Sequence, residues 1–242
     1  MRYKVELKYD GTDFCGFQTQ LDLPTVQGTL EEMLTRLNKN IPIGLVGCGR
    51  TDTGVHSNYY VAHFEASTDE TVEDMKWKLN KMLPHSISII SISETHEKFH
   101  ARFNAKERTY RYFIHTQKNP FLHRTSYLFH PKLDLKKMNQ AAEYLLGEQD
   151  FTSFSKLHTQ VKTNICTITE AFWVEQDEQL IFQISANRFL RNMVRSIVGT
   201  LLLVGEGKIS PEDVLEIIAQ KNRDAAGTSA PARGLSLWNI QY

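Results

Sequence analysis

Residues Gly49–Ser57 read GRTDTGVHS and place a guanidinium and a carboxylate two residues apart, between two glycines. Residues 43–46 before it have the character of a buried strand, and Asn58–Phe64 after it is rich in aromatic and β-branched residues, which favours a second strand. The pattern therefore predicts a polar loop between two strands. The strands would fix the direction of Asp52, while glycine lets backbone approach a ligand. A surface turn whose Asp and Thr side chains bond their own backbone is an equally good interpretation.

Outward from this loop, the first half of the chain alternates strands and capped helices. Thr25 precedes an apolar stripe at helical spacing, and Thr71 precedes another, with Asp74 at the capping-box offset. The alternation in residues 1–7 predicts a strand before these helices, and Ile87–Ile92 a strand after them.

The second half repeats this order. It is predicted to contain a strand at Arg108–Ile114, a helix at Asp134–Leu146, strands at Cys166–Val174 and Leu180–Ser185, a helix at Asn187–Val204, and a helix that begins after Ser210. The sequence thus predicts an α+β fold class with two similar halves and mainly antiparallel sheets. The boundary is expected between Glu94 and Lys106.

Composition limits the function classes. The 242 residues carry 28 basic and 28 acidic side chains, so a basic surface for nucleic acid must be local. Three widely spaced cysteines indicate neither a metal site nor a disulfide framework and favour a reducing cytosol. The longest apolar run, Ile197–Val204, is shorter than the ~20 residues that span a bilayer, so no membrane association is expected.

Two arginine-rich elements are candidate binding sites. In the helix predicted from Asn187, Arg188, Arg191 and Arg195 form one stripe at offsets of three and four. This stripe is either a solvated face or a site where one arginine pairs with a carboxylate such as Asp52 and the others meet phosphate.

In the strand Arg108–Ile114, Arg108, Tyr110 and Tyr112 point to one side, and Thr109, Arg111 and Phe113 to the other. Interleaved arginine and tyrosine suit RNA, although an ordinary cross-strand ladder explains them equally well.

Residues His96–His100 match the zinc-protease string HExxH. That motif works only on a helix, where both histidines reach one ion. The flanking residues alternate like strands, and in an extended chain the two rings would be ~13 Å apart. The sequence therefore predicts no metal site.

Taken together, the motifs resemble one family, the tRNA pseudouridine synthases of the A type, nearly from end to end. In chain order they are Tyr9–Thr12 with Phe14, Gly16 and Gln18, Thr25–Gln27, Gly49–His56, Phe99–Phe103, Tyr110–Tyr112, Asp150–Phe154, Phe189 with Met193–Arg195, and Ala230–Ala232 with Gly234 and Leu235. The family commonly has tryptophan at Phe17, alanine at Thr53 and Ser57, and often arginine at Thr109. None of these departures removes a catalytic group.

The resemblance implies an isomerase that converts uridine to pseudouridine in the anticodon stem-loop, at tRNA positions 38, 39 and 40. Asp52 would be the catalytic carboxylate, Tyr110 would pack against the uracil, and Arg195 would pair with Asp52. Arg50 and Leu235 would also contact the substrate. The RNA-binding residues expected beside them are Arg188, Arg191, Arg111 and Arg108.

The resemblance also implies two similar α/β-sandwich halves flanking a central RNA-binding cleft. Residues 1–104 would carry the catalytic loop, and residues 105–242 the active-site Tyr and Arg. A cytoplasmic homodimer that binds tRNA without cofactor or metal is expected. The alternatives are a non-catalytic tRNA-binding or RNA-chaperone protein and an RNA N-glycosidase.

Overall fold

The computed structural model describes residues 1–156 and 162–242. The chain divides into two compact units, Met1–Lys106 with Ser236–Tyr242, and Glu107–Leu235. Each unit combines α-helices with a mainly antiparallel sheet. Ser236–Tyr242 cluster with the first unit, whereas the sequence prediction counted them with the second half. The assignment of functions to halves 1–104 and 105–242 stays a prediction.

The first unit is built on a sheet in the order β4-β1-β3-β10, with β2 added to β3. Strand β1 is antiparallel to both β3 and β4, and β10 is parallel to β3. The bounds are β1 Arg2–Tyr9, α1 Val26–Leu37, β2 Leu45–Gly47, β3 His56–Glu65, α2 Val72–Met82, β4 Ile87–Thr95 and β10 Leu235–Gln241.

Both helices of this unit begin where the sequence predicts. The Thr25 hydroxyl accepts a hydrogen bond from the Gly28 amide at 3.2 Å and caps α1. The Thr71 hydroxyl accepts from the Asp74 amide at 3.1 Å and donates to the Asp74 carboxylate at 2.7 Å. These bonds satisfy amide donors that a helix start leaves unpaired. The two predicted helix starts are confirmed.

The second unit has the strand order β5-β9-β8-β7, with β6 parallel to β5. The other described pairs in it are antiparallel. The bounds are β5 Glu107–His115, β6 Tyr127–Leu128, α3 Leu135–Glu143, β7 Gly147–Asp150, β8 Ile165–Gln176, β9 Gln179–Ala186, α4 Met193–Gly205 and α5 Asp213–Gln220.

The predicted start of α4 at Asn187 is wrong. The helix begins at Met193, because Asn192 adopts a left-handed conformation with φ of 66°. Asn is one of the few residues that adopt this conformation readily, and a right-handed helix cannot pass through it. Arg188 and Arg191 therefore precede the helix, and the single helical stripe predicted for them with Arg195 does not exist.

The HExxH string lies in a turn after β4. The Phe99 amide donates to the His96 carbonyl at 2.9 Å, so the segment is neither the helix that the zinc motif needs nor the extended strand that the sequence predicts. Within residues 1–156 and 162–242, no cluster of three His, Cys, Asp or Glu side chains could hold a metal ion. None of the helices in the same ranges has the length and apolar character needed to cross a membrane.

Candidate active site

The loop that carries Asp52 joins β2 to β3, which pair antiparallel, so the predicted polar loop between two strands is confirmed. The Tyr60 hydroxyl on β3 donates to the Gly49 carbonyl at 2.5 Å. A tight turn follows, because the Val55 amide donates to the Asp52 carbonyl at 3.1 Å. Asp52 is half-buried at this turn, and Arg50 is exposed.

The segment after β1 clamps the same loop from the other side. The hydroxyls of Tyr9 and Thr51 are hydrogen-bonded at 2.9 Å in a buried position. The Phe17 amide donates to the Thr51 carbonyl at 3.3 Å, and the Gly54 amide donates to the Phe14 carbonyl at 3.2 Å. Thr51 and Gly54, on either side of Asp52, are therefore both bonded to residues 9–17.

Two glycines make this clamp possible. A Cβ at Gly11 would lie 2.0 Å from the Val55 carbonyl oxygen, and a Cβ at Gly16 would lie 2.6 Å from the Thr51 carbonyl oxygen. Gly16 also has φ of +91°, a conformation that glycine adopts without penalty. The buried imidazole of His56 completes the contact, since its Nδ1 accepts from the Gly11 amide at 3.1 Å.

Three aromatic rings pack together beside the loop. Phe17 stacks on Tyr60 with ring centroids 4.2 Å apart, and Tyr9 lies 5.7 Å from the same ring. Burial raises the pKa of Tyr60 well above its usual value, so its hydroxyl remains a hydrogen-bond donor. Phe17 is 2 % exposed, and its apolar ring fills this position fully.

In the second unit, Tyr110 and Arg195 are each held by a specific contact. Tyr110 on β5 is half-buried and makes an edge-to-face contact with Phe189, with centroids 5.1 Å apart. Arg195 lies in the first turn of α4. Its Nε donates to the Ala230 carbonyl at 2.6 Å, and the Ala230 amide donates to the Arg195 carbonyl at 3.0 Å.

The segment 230–235 begins at Ala230, which is bonded to Arg195, and ends at Leu235. The Tyr112 hydroxyl donates to the Pro231 carbonyl at 2.8 Å, and burial raises the pKa of Tyr112. A Cβ at Gly234 would lie 2.6 Å from the Tyr112 ring, so only glycine allows this close approach. Leu235 follows it and is buried.

Sequence reasoning missed the residues that hold this segment in place. The Arg223 guanidinium donates to the carbonyls of Ala226 and Gly227, each at 3.2 Å, and to the Ser229 hydroxyl at 3.0 Å. The Asn192 amide donates to the same hydroxyl at 2.6 Å. No local pattern marks Arg223 as a support. Asn is enriched in left-handed positions, which is the only sequence signal at Asn192.

The expected RNA-binding arginines differ in how they are held. Arg108 donates to the Asn187 carbonyl at 3.0 Å, and the Arg111 Nε donates to Gln183 at 2.6 Å. Burial lowers the pKa of Arg111. Arg188 is half-buried and Arg191 is exposed.

The structure assigns Asp52 and Arg50 to the first unit, and Tyr110, Arg195 and Leu235 to the second. The expected pairing of Asp52 with Arg195, and the placement of Tyr110 beside them, stay predictions.

Comparison with known proteins agrees with these motifs. A family model described as tRNA pseudouridine synthase matches residues 7–104 and 141–242. The tRNA pseudouridine synthase A of Bacteroides fragilis is 49% identical over all of this chain and 96% of its own length. The corresponding protein of Bacillus subtilis is 42% identical over all of this chain and 99% of its own.

A solved structure, a Cbf5-Nop10-Gar1 complex, contains a chain similar over 82% of this chain and 54% of its own, at 11% identity and a TM-score of 0.36. That likeness is too low to carry information. The family model and the full-length relatives are sufficient: this chain belongs to the tRNA pseudouridine synthase family.

Proposed function

We propose that this chain converts uridine to pseudouridine in the anticodon stem-loop of tRNA and that the Asp52 carboxylate carries the reaction. As a member of its family, the chain is an isomerase that acts on tRNA. One observation supports the role of Asp52 above the others. The residues on both sides of it are hydrogen-bonded to residues 9–17, while its own side chain is only half-buried.

The chemistry needs one carboxylate and a closed pocket. The bond from uracil N1 to ribose C1′ breaks, the base turns, and C5 bonds to C1′. The C5 hydrogen leaves as a proton and N1 takes one up, so the atoms balance without an oxidant. Asp52 either adds to C6 of the uracil or acts at C1′ with removal of a ribose proton. Both routes require the ionised carboxylate.

We assign a substrate contact to each residue from the neighbours that hold its side chain. The perpendicular packing of Phe189 and Tyr110 restricts the orientation of the tyrosine ring, which suits stacking on a flipped uracil. The Ala230 carbonyl holds Arg195 by its Nε and so orients the guanidinium plane. A guanidinium that pairs with Asp52 keeps the carboxylate ionised. Leu235 supplies an apolar contact, and Arg50 contacts the nucleotide.

This assignment requires both units to act on one uridine, and the two similar halves with a central RNA-binding cleft are part of the proposal. Arg108, Arg111, Arg188 and Arg191 neutralise phosphates beside the target. Arg191 is the most accessible of the four, and Arg111 is the most restricted because it is bonded to Gln183.

No cofactor or metal is proposed, because the isomerisation is redox-neutral and every non-hydrogen atom of the base stays in the product. We propose a homodimer that works in the cytoplasm, where its substrate tRNA is found. Sedimentation of the purified protein with and without tRNA tests the dimer.

The decisive experiment compares Asp52→Asn with Asp22→Asn. Both changes remove one carboxylate from an exposed or half-buried loop of the first unit, and Asp22 has φ of 57°, which Asn tolerates. Tritium release from C5-labelled tRNA measures isomerisation, and filter retention measures binding. We expect Asp52→Asn to bind tRNA and release no tritium, and Asp22→Asn to match the wild type.

Two outcomes contradict the proposal. Undiminished release by Asp52→Asn would remove Asp52 from the reaction. Binding without release by the wild-type protein would favour the non-catalytic tRNA-binding alternative.

A further inference from the structure

The stretch without acidic residues that carries the most Lys and Arg side chains has no role in the proposed reaction beyond its first few residues. Between Glu107 and Asp134 no acidic residue occurs, although the whole chain has as many acidic as basic residues. This stretch carries five Lys or Arg side chains and three histidines: Arg108, Arg111, Lys118, Arg124, Lys132, His115, His123 and His130. It falls between the two segments that the family model matches, which end at residue 104 and resume at residue 141.

Part of this stretch forms a basic and aromatic surface with Arg233. The Arg233 guanidinium lies 5.9 Å from the centre of the Tyr127 ring, and Tyr127 lies 5.5 Å from Phe129. The Phe129 amide donates to the His115 carbonyl at 2.9 Å, which fixes this segment beside β5. We call Arg233, Tyr127, Phe129 and His130 the Arg233 patch.

The patch is accessible and carries the positive charge of the Arg233 guanidinium. Arg233 and His130 are exposed, and the two rings are half-buried. The neighbouring His115 is buried, and its pKa is lowered first by burial and then by the nearby Arg233 and His130. His115 therefore stays neutral and bonds Ser126 at 2.9 Å, while the charge of the patch faces outward on Arg233.

The patch adjoins the residues that are proposed to hold the uridine. Arg233 lies in the turn Ala232–Gly234, directly after the two carbonyls that bind Arg195 and Tyr112. Leu235 follows the same turn. The charges of both Arg195 and Arg233 act on the Tyr112 hydroxyl, so both guanidinium groups lie near this hydroxyl.

We propose that the Arg233 patch binds the RNA strand next to the target uridine. Arg233 contacts a phosphate, and the rings of Tyr127 and Phe129 stack on a base that leaves the helix when the uridine is flipped. Exposed arginine beside aromatic rings has the chemistry for unstacked nucleotides, because rings accept any base and the guanidinium neutralises phosphate. This inference rests on the proposed function, since it takes tRNA as the ligand.

The first test compares Arg233→Gln with Arg36→Gln, an exposed arginine on α1 that is paired with Glu32. Binding of an unmodified anticodon-arm hairpin is measured over a range of salt concentrations. We expect roughly tenfold weaker binding for Arg233→Gln, from the loss of one charge-assisted hydrogen bond. The slope of log affinity against log salt should fall by about one. Arg36→Gln should match the wild type.

A second pair of variants tests the rings. Tyr127→Leu should weaken binding on the order of fivefold or more, whereas Tyr127→Phe keeps the ring and should bind normally. Thermal unfolding is followed for every variant. At subsaturating RNA, the single-turnover rate of tritium release should fall together with the affinity in Arg233→Gln and Tyr127→Leu, because the patch acts through RNA binding, and Arg36→Gln should keep the wild-type rate.

Unchanged affinity and salt slope in Arg233→Gln would overturn the inference, as would a change in oligomeric state in place of weaker RNA binding. The latter result would assign the patch to a contact with a second copy of the chain. Failure of the proposed function is distinguishable: wild-type protein without tritium release, but with binding that depends on Arg233, would refute the reaction and keep the patch.

Discussion

Replacement of Gly16 by alanine should displace the catalytic loop and so reduce activity by more than the loss of folding stability explains. Gly16 has φ of +91°, and a Cβ there would lie 2.6 Å from the Thr51 carbonyl oxygen. Ordinary van der Waals contact begins at 3.4 Å, so the backbone next to Asp52 must move by about 0.8 Å. A displacement of about 1 Å in a catalytic group can reduce the rate on the order of 100-fold. We expect that loss in the rate of tritium release.

Gly147 offers a matched control. Its φ is +89°, nearly the same as that of Gly16, but a Cβ there would meet nothing within 4 Å. Alanine at either site pays the left-handed backbone penalty of about 1–2 kcal/mol, partly offset by the lower entropy of the unfolded chain. Gly147→Ala should therefore lose about 1 kcal/mol of unfolding free energy in urea and keep full activity.

Two outcomes for this pair of variants would contradict the predicted role of Gly16. Full activity in Gly16→Ala would mean that the contact with Thr51 does not position Asp52. An equal loss of activity in both variants would mean that backbone strain alone is responsible. Tritium release at saturating tRNA and urea unfolding, applied to both proteins, distinguish these results from the expected one.

Two further predictions concern buried polar groups of the first unit. Tyr9→Phe removes the buried bond to the Thr51 hydroxyl and should lower the unfolding free energy by about 1–3 kcal/mol, measured in urea; an unchanged midpoint would show that the bond contributes nothing. Burial lowers the pKa of His63 from 6.5 to about 4, and its Nδ1 accepts from the Ala101 amide, so the folded state keeps it neutral. Its contribution to stability is complete above pH 6.5 and is lost as the pH falls toward 4, because the unfolded chain takes up the proton first. His63→Gln should flatten this dependence in urea titrations between pH 4 and 7; an identical slope would contradict it.

Much of the local structure could be predicted from the sequence because the deciding interactions are short in range. The hydroxyl of Thr25 bonds an amide three residues later, and Thr71 with Asp74 forms a capping box over the same distance. The loop at Asp52 is bounded by strands whose aromatic and β-branched residues are visible in the sequence. Arg108–Ile114 lies within the observed β5, and Thr109 and Arg111 bond Ser185 and Gln183 on the neighbouring strand.

The prediction of a helix at Asn187–Val204 placed its start too early for a physical reason. Periodicity marks an apolar face, but it does not show whether the backbone continues through Asn192. Asn192 is held in its left-handed conformation by bonds to Ser196 and Ser229, and Ser229 lies 37 residues away in sequence. A local pattern carries no information about such a partner.

The family motifs, the strand-loop-strand unit around Asp52 and most helix starts could be recognised without coordinates, because each depends on residues close together in the chain. The contacts that hold the candidate site in place are visible only in the folded chain. Residues 9–17 clamp the Asp52 loop from more than 30 positions away, and Arg223, Asn192 and Ala230 fix the segment beside Arg195. These contacts join residues that are far apart in the sequence. The packing of sheets and helices brings them together, and no short stretch of sequence predicts that packing.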